Sequence, residues 1–346
     1  MTTPLTEQRR SGGGGVSPQR RLSIVVPLHD EADSISELVR RLDAALSTLA
    51  YEIEIILVDD GSRDATPTLI AEVVRRDPRF KGIRLSRNFG HQAAITAGLD
   101  FASGDAVVVM DGDLQHPPEL LPQMVARWED GYDVVYAVRD DRRGESWFRR
   151  VGARVYYPLL DALSDIDIPK YVGEFRLVDR RALDAFGALR ENSRYLRGMF
   201  SWIGFRQIGI PCPPAERFGG RSKYTRTRFA RLAISGLVSF SNVPLRVALY
   251  LGFVFSSVAF CVGLFAIVAK ISGAFTVPGW ASVIVAATFL GGVQLLLLGV
   301  IGTYVGHIYD EVKNRPLYIV SGLEGFVPPP PGHAGRVIAV RRDDRD

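Results

Sequence analysis

The chain has 346 residues, a formal net charge of +4 and two cysteines, a length that allows one large core or two. Cys212 follows a proline and Cys261 lies inside an apolar run, which argues against a disulfide framework. Seven basic residues and no acid lie between residues 217 and 246, and without them the net charge would be −3. We therefore expect an anionic membrane surface or a phosphate ligand near this segment, and no nucleic acid.

Residues 1–20 contain no apolar core for a signal peptide, so we expect a disordered tail there. From Leu22 onward, short β-branched runs alternate with amphipathic stretches. The predicted strands are LSIVVP, EIEIILVD, GIRLS, AVVVM and DVVYAV. The predicted helices are SISELVRRLDAALSTL, ATPTLIAEVVRR, HQAAITAGLDFA and PELLPQMVARWED. This order predicts an α/β domain over residues 21–225, with a mostly parallel, Rossmann-like sheet covered on both faces.

Past Arg139 the pattern is less regular. We expect a helix over residues 146–163 and strands at EFRLVD and GFRQIGIP. Residues 226–245 then mix arginine with apolar residues at helical spacing, which is typical of a helix lying on a membrane surface. An ordinary surface helix stays open as an alternative.

Two long runs without formal charge follow. One has 23 residues between Arg246 and Lys270, and the other has 39 residues from Ile271 to Tyr309. Each is long enough to cross a bilayer, so we predict a two-helix transmembrane hairpin over residues 246–309, with spans near 247–268 and 283–305. Because basic residues stay cytoplasmic, the large N-terminal part and a C-terminal tail over 310–346 are expected on the cytoplasmic side.

Carboxylates follow the predicted strands, at the edge where open α/β sheets bind their ligands. LVDDGSRDAT places Asp59 and Asp60 after the second strand. The first strand runs into PLHDEAD, without the glycine-rich turn of a dinucleotide fold. The carboxylates suit hydrogen bonds to a nucleoside, but a simple Asp-Gly-Ser turn stays open.

MDGDLQHPPE places Asp111 and Asp113 after the fourth strand, separated by Gly112. Mg²⁺ takes one or two protein carboxylates and completes its octahedron with water and substrate phosphates. The pair therefore predicts Mg²⁺ or Mn²⁺ held together with a diphosphate, although Asp-x-Asp is also a common turn. We expect Gln115 rather than His116 beside the metal, because this cation prefers oxygen.

Taken in order, VVPLHDE, VDDGSRDAT, SRNFGHQAA, MDGDLQHPPE, GEFRL and RFGGRSKY resemble the motifs of family 2 glycosyltransferases, which have a GT-A fold. The resemblance covers roughly Leu22 to Arg315. It is closest to the polyprenyl-phosphate glycosyltransferases, relatives of dolichyl-phosphate mannose synthase, and the bacterial bactoprenol glucosyltransferases among them also end in a two-helix hairpin.

The resemblance implies a metal-dependent, inverting transferase in the inner (cytoplasmic) membrane that serves cell-envelope glycosylation. It would move one sugar from a nucleotide diphosphate sugar to undecaprenyl or decaprenyl phosphate. UDP-glucose is the first choice of donor and GDP-mannose the second. As partners the resemblance suggests a second copy of the chain in a homo-oligomer, a flippase, and a downstream glycosyltransferase that uses the lipid-linked sugar.

The resemblance also assigns roles position by position. Contacts with the nucleotide sugar are implied for Pro27, His29, Glu31, Val58, Asp60, Asp111, Gly112 and Arg139. The metal would be held by Asp111, Asp113 and Gln115. Contacts with phosphate or acceptor are implied for Arg217, Ser222 and Lys223, and catalytic roles for Asp113, Glu174 and Arg176.

Two positions depart from the family pattern. Asp30 stands where the first motif usually has asparagine, and Glu174 stands where the bacterial relatives usually have aspartate. The role of Glu174 as acid, base or sugar contact therefore stays open. A lipid phosphate is already anionic at neutral pH and needs no strong base, so we expect Glu174 to orient a sugar hydroxyl or the acceptor site.

Two alternative functions stay open. A processive polysaccharide synthase shares this domain but usually has more spans and a Gln-x-x-Arg-Trp motif, to which QMVARW is the nearest match, with one residue too many. A non-catalytic membrane scaffold of a glycan export system would keep the fold without the reaction.

Overall fold

The computed structural model describes residues 20–139, 172–192, 194–212, 243–272 and 280–326. The predicted helix over 146–163 and the amphipathic segment over 226–245 lie outside the described residues, apart from the last three residues of that segment. Arg217, Ser222 and Lys223 also lie outside them.

Within the described ranges, eight strands form one sheet in the order β7-β5-β6-β4-β1-β2-β3-β8. The strands are β1 Arg21–Leu28, β2 Glu52–Asp59, β3 Phe80–Leu85, β4 Ala106–Val109, β5 Val134–Arg139, β6 Val172–Asp179, β7 Gln207–Cys212 and β8 Val320–Glu324. The central strands β4, β1, β2 and β3 are parallel, and so are β5 and β7. Strand β6 runs antiparallel to β4 and β5, and β8 runs antiparallel to β3. The predicted α/β architecture is confirmed.

Eight α-helices accompany the sheet in the described part of the chain. They are α1 Ala32–Leu46, α2 Thr66–Arg76, α3 His91–Phe101, α4 Leu121–Glu129, α5 Arg180–Gly187, α6 Leu196–Trp202, α7 Val243–Ile271 and α8 Trp280–Val312. A 3₁₀ turn, Pro118–Leu120, precedes α4.

The core lies on both faces of the sheet because successive strand residues point to opposite sides. In β2, Ile55 and Leu57 join the cluster under α1, α2 and α4, whereas Ile56 and Val58 join the cluster under α3, α5 and α6. Strands buried on both faces read as continuous apolar runs, which is why these segments could be recognised in the sequence.

The chain returns to this sheet after the apolar helices. Strand β8 pairs with β3, although the sequence analysis treats residues 310–346 as a tail and does not predict it. Hydrogen bonds of side chains hold this C-terminal segment to the α/β domain. The Tyr318 hydroxyl donates to Asp100 Oδ2 at 2.7 Å, and the Asn192 N–H donates to Glu311 Oε1 at 2.7 Å. Residues 320–324 therefore belong to the sheet, which the sequence analysis did not foresee because VSGLE is too short and too polar to be recognised as a strand.

Helices α7 and α8 differ from the others because their large apolar side chains face outward. Phe253, Phe260 and Leu295 are each more than 70% exposed, and the rings of Phe255 and Phe289 meet at 5.8 Å between the two helices. Within the described residues, one helical stretch, Phe289–Val312, is long and apolar enough to cross a membrane; Ala248–Val262 is a shorter apolar stretch.

Candidate active site

The predicted nucleoside residues lie together at the ends of β1 and β2. Pro27 and Val58 are buried register partners on these strands, and the N–H of Asp60 donates to the Leu28 carbonyl at 2.9 Å. Just beyond β1, the N–H of Glu31 donates to Thr66 Oγ1 at 3.0 Å, so the start of α1 is tied to the start of α2. The two strand ends therefore form one surface at the C-terminal edge of the parallel strands.

Asp60 is buried and holds the loop that precedes α3. Its Oδ1 accepts from the Phe89 N–H at 2.7 Å, and its Oδ2 accepts from the Gly90 N–H at 3.0 Å. Burial raises the pKa of Asp60, and the two backbone hydrogen bonds only partly offset this effect. Gly90 has φ +100°, a backbone conformation that glycine adopts without strain. The structure thus gives Asp60 a positioning task, and its predicted contact with a nucleoside stays a prediction.

Asp30, the departure from the family motif, is turned toward the loop after β2. Its backbone has φ +52°, its N–H donates to Ser62 Oγ at 3.0 Å, and its Oδ1 accepts from the Arg63 N–H at 2.8 Å. His29 Nε2 lies 3.5 Å from its Oδ2. The aspartate therefore makes the local contacts that close this corner of the site.

Asp111 lies between two histidines. Its Oδ1 is 3.2 Å from Nε2 of His91, the first residue of α3, and its Oδ2 is 3.2 Å from Nδ1 of buried His116. Burial alone would raise the pKa of Asp111, but the hydrogen bonds and charges of both imidazoles outweigh it and hold the pKa below its usual value. Burial lowers the pKa of His91, yet the contact with Asp111 prevails and raises it. Asp111 is therefore ionised at neutral pH.

His116 contacts both the carboxylate of Asp111 and strand β6. Its ring stacks on Phe175 at 5.2 Å between ring centroids, and a Cβ on Gly173 would lie 3.0 Å from its Nε2. The sequence analysis leaves His116 out of the metal site, and this stays a prediction; in the structure its ring contacts Asp111 and β6.

The turn after β4 fits a divalent cation that arrives with its substrate. A Cβ on Gly112 would lie 2.3 Å from Leu28 Cδ2, so a side chain at this position would push the turn away from β1. Asp113 Oδ1 accepts from the Gln115 N–H at 3.1 Å, which folds Gln115 back toward Asp113. Within the described residues, no group of three or more His, Cys, Asp or Glu is placed to hold a metal ion by itself. The carboxylate oxygens of Asp111 and Asp113 are donors of the kind that Mg²⁺ or Mn²⁺ takes, and such a cation completes its shell with phosphate oxygens.

Glu174 and Arg176 form a buried pair on β6. They are 5% and 3% exposed, and Arg176 Nη2 lies 3.4 Å from Glu174 Oε2. Arg197, in the first turn of α6, donates from Nε to Glu174 Oε1 at 3.0 Å. Burial would raise the pKa of Glu174, but the charges of Arg176 and Arg197 outweigh it and lower the pKa. Glu174 is therefore ionised at neutral pH.

The strand register brings these two groups of residues together. Arg176 is the partner of Val109 in the β4–β6 pair, so the buried arginine lies next to the strand that leads into Asp111. Arg139 is the last residue of β5 and pairs with Cys212. The predicted residues on β1, β2, β4 and β6 thus lie along one edge of the sheet, and their individual roles stay predictions.

The sequence analysis missed three residues that hold this site. His91 contacts Asp111, Gln92 Nε2 lies 3.4 Å from Glu174 Oε1, and Arg197 binds the same oxygen. His91 and Gln92 could have been found, because they lie in the quoted motif SRNFGHQAA, which links the end of β3 to α3. No pattern in the sequence indicates Arg197.

The chain is similar in sequence to known proteins over most of its length. The family model for Glycosyl transferase family 2 matches residues 23–187. The chain is 44% identical over 304 residues to the "Uncharacterized glycosyltransferase YkcC" of Bacillus subtilis (strain 168), covering 88% of this chain and 94% of that protein. It is 38% identical over 301 residues to the "SfII prophage-derived bactoprenol glucosyl transferase" of Shigella flexneri, covering 87% and 97%.

Among solved structures, glucosyl-3-phosphoglycerate synthase from Mycobacterium tuberculosis in complex with Mn²⁺, UDP and glucosyl-3-phosphoglycerate is similar with a TM-score of 0.42 and 18% identity, over 64% of this chain and 79% of that one. The chain is a glycosyltransferase with a GT-A fold. It belongs to glycosyltransferase family 2, in the group of the polyprenyl-phosphate glycosyltransferases.

Proposed function

We propose that this protein is a membrane-bound, inverting transferase that moves one sugar from a nucleotide diphosphate sugar to polyprenyl phosphate. UDP-glucose is the proposed donor, with GDP-mannose second. The donor and the acceptor rest on the resemblance to the bactoprenol glucosyl transferases, to one of which the chain is 38% identical.

The observation that carries the proposal is the set of charged side chains on β6 and just after β4. Asp111 is held between two histidines, and Glu174 lies between two arginines. Burying ions costs several kcal/mol each unless they are paired, and removing one partner of a buried pair costs about 3–5 kcal/mol. A fold that places so many ions beside one strand end is suited to a charged substrate that contributes charges of its own.

The proposed reaction needs charge more than it needs a base. An anionic oxygen of the lipid phosphate attacks the anomeric carbon, the bond from that carbon to the diphosphate oxygen breaks, and the nucleoside diphosphate leaves. A divalent cation bound by Asp111 and Asp113, with Gln115 nearby, would neutralise the charge that develops on the diphosphate. The buried arginine Arg176 adds a fixed positive charge beside the strand that leads into Asp111.

We also propose that α7 and α8 form the transmembrane hairpin, with the sheet on the cytoplasmic side. The strands before α7 and strand β8 after α8 belong to one sheet. In the proposed arrangement, the segment that contains α7 and α8 therefore begins and ends on the same side of the membrane. This requires an even number of membrane crossings. Two crossings by two long, outward-facing apolar helices satisfy this requirement. The basic residues between 217 and 246 favour the cytoplasm as that side.

The topology can be tested with single cysteines in a chain whose Cys212 and Cys261 are replaced by serine. We expect a membrane-impermeant maleimide to label Ser272→Cys, at the end of α7, in intact spheroplasts. It should label Asn314→Cys, after α8, only once the membrane is broken. Labelling of both positions from outside, or of neither, contradicts a hairpin with this orientation.

The activity is tested with purified protein, Mg²⁺ or Mn²⁺, a panel of UDP- and GDP-sugars, and polyprenyl phosphate. We expect one lipid-linked monosaccharide to form, and chelation of the cation to abolish it. A polymer as product would favour the processive synthase. No transfer with any donor, while the protein remains folded, would favour the non-catalytic scaffold.

The homo-oligomer, the flippase and the downstream glycosyltransferase stay predictions from the resemblance.

A further inference from the structure

We propose that Arg197 and Gln92 are positioning residues that hold Oε1 of Glu174, so that its other carboxylate oxygen, Oε2, is presented to a hydroxyl of the bound sugar. This inference rests on the proposed sugar transfer. It assigns a task to α6, a helix that lies far along the chain from the predicted metal and nucleotide motifs.

The two carboxylate oxygens of Glu174 have unequal partners in the described structure. Oε1 accepts from Arg197 Nε at 3.0 Å and from Gln92 Nε2 at 3.4 Å. Oε2 has a long contact of 3.4 Å with Arg176 Nη2. A nearly buried carboxylate with one well-bound oxygen and one weakly bound oxygen can still accept a strong hydrogen bond on the second.

Gln92 joins two helices at this point. Its side-chain nitrogen faces Glu174, and its side-chain oxygen accepts from the Leu196 N–H, the first residue of α6, at 3.2 Å. The neighbouring residue His91 contacts Asp111. The first two residues of α3 therefore reach the carboxylates of both Asp111 and Glu174, and Gln92 also fixes the helix that carries Arg197.

Helix α6 supports the buried pair in a second way. The Arg176 guanidinium lies 4.5 Å from the ring centroid of Phe200, one turn after Arg197 on the same helix. Gln207 Nε2 in turn donates to the Phe200 carbonyl at 2.7 Å. One short helix thus positions the carboxylate through Arg197 and the arginine through Phe200.

The geometry makes a prediction about coupling between residues. If Arg197 acts through Glu174, removing the carboxylate should also remove the effect of Arg197. The test therefore compares Arg197→Gln, Glu174→Gln and the double variant, with Arg197→Lys as the conservative change. Arg40→Gln is the matched control, because Arg40 forms an exposed pair with Glu37 on α1.

For Arg197→Gln we expect kcat to fall about 10- to 100-fold while KM for the sugar nucleotide stays within about twofold, since outer partners of a site typically contribute this much. Arg197→Lys should recover part of the loss. The double variant should be no slower than Glu174→Gln alone. Gln92→Ala should lose less than Arg197→Gln, and Arg40→Gln should match the unaltered chain.

Each variant is measured in two reactions, transfer to polyprenyl phosphate and slow hydrolysis of the sugar nucleotide by water, together with its melting temperature. If the unaltered chain only hydrolyses the donor, the proposed acceptor is wrong, and the coupling is still measured in the hydrolysis reaction. Independent, multiplying losses in the double variant would overturn the positioning role. So would an unchanged kcat for Arg197→Gln, or a loss of kcat that merely follows a loss of folded protein.

Discussion

Two buried glutamates lie at opposite ends of the same sheet and have opposite surroundings. Glu54, near the start of β2, accepts from the N–H and Oγ of Ser103, both at 2.9 Å, and also from Ser23 Oγ and Lys81 Nζ. Glu174, near the other end, has contacts of 3.0, 3.4 and 3.4 Å. Both are at most 5% exposed.

The difference separates a closed network from an open one. Every oxygen of Glu54 has two short partners inside the protein, so this network is complete and its task is to hold the N-terminal ends of β1, β2 and β3 together. Glu174 and Asp111 keep longer contacts and can accept further hydrogen bonds. A fully satisfied buried network rigidifies a fold, whereas a partly satisfied one is where a ligand can add its own partners.

The largest expected effect concerns the open end. Asp113→Ala should lower transfer by about 10²–10³-fold or more, because it removes an oxygen ligand of the cation that would stabilise the leaving diphosphate. The melting temperature should change little, since Asp113 is only half-buried. Initial rates across a Mg²⁺ titration would measure the loss, with Asp184→Ala on the surface of α5 as control. Unaltered transfer would remove Asp113 from the metal site.

The next effect concerns the closed end. Glu54→Gln leaves Lys81 without its charged partner and should lower the free energy of unfolding by about 3 kcal/mol, or roughly 6–12 °C in melting temperature for a domain of this size. The specific activity of the protein that remains folded should not change. Thermal unfolding in detergent would show the shift, and Glu72→Gln, at an exposed pair on α2, is the control. A loss of specific activity without loss of stability would contradict the separation of the two ends.

An intermediate effect is expected for Glu174→Gln. Glutamine keeps an oxygen that can accept a hydrogen bond from a sugar hydroxyl, and the phosphate acceptor needs no base. We therefore expect kcat to fall about 10- to 100-fold while transfer remains measurable, unlike the near-complete loss for Asp113→Ala. Complete loss in both variants would instead favour essential acid–base chemistry by Glu174.

The smallest expected effect is the contribution of Glu54 to the pH dependence of the protein's stability. Burial would raise the pKa of Glu54, but the hydrogen bonds from Lys81, Ser103 and Ser23 outweigh it and lower the pKa. A lowered pKa in the folded state gives stability that is fully present above the usual glutamate pKa and is lost as the pH falls through the folded-state value.

The melting temperature of the unaltered chain should consequently fall more steeply below about pH 4.5 than that of Glu54→Gln. The difference between the two proteins should stay constant between about pH 6 and pH 8. Melting curves at a series of pH values would test this, and parallel curves throughout the acid range would show that Glu54 does not contribute.

Much of the fold could be predicted because each central strand is a continuous apolar run bounded by polar or glycine-containing turns. EIEIILVD became β2 without a shift of either end, and AVVVM became β4 with one residue fewer. Strand β8 could not be predicted, since VSGLE resembles a loop and pairs with a strand more than 230 residues earlier in the chain.

The candidate site was predictable where it depends on strand ends. Asp60, Asp111 and Asp113 follow strands, so their common edge could be inferred before the structure. Their partners depend on packing between distant segments: Gln92 reaches Glu174 across 82 residues, and Arg197 reaches it from another helix. Such contacts leave no periodic signal in a single sequence.

The position of β8 also sets the order in which the protein can be completed during synthesis. The edge of β3 stays uncovered until residues 320–324 have left the ribosome, which happens only after both apolar helices have been made. An uncovered strand edge readily pairs with other chains. A chain that stops after α8 would therefore keep the edge of β3 open to pairing with other chains. The sheet is completed only after the two apolar helices have been synthesised.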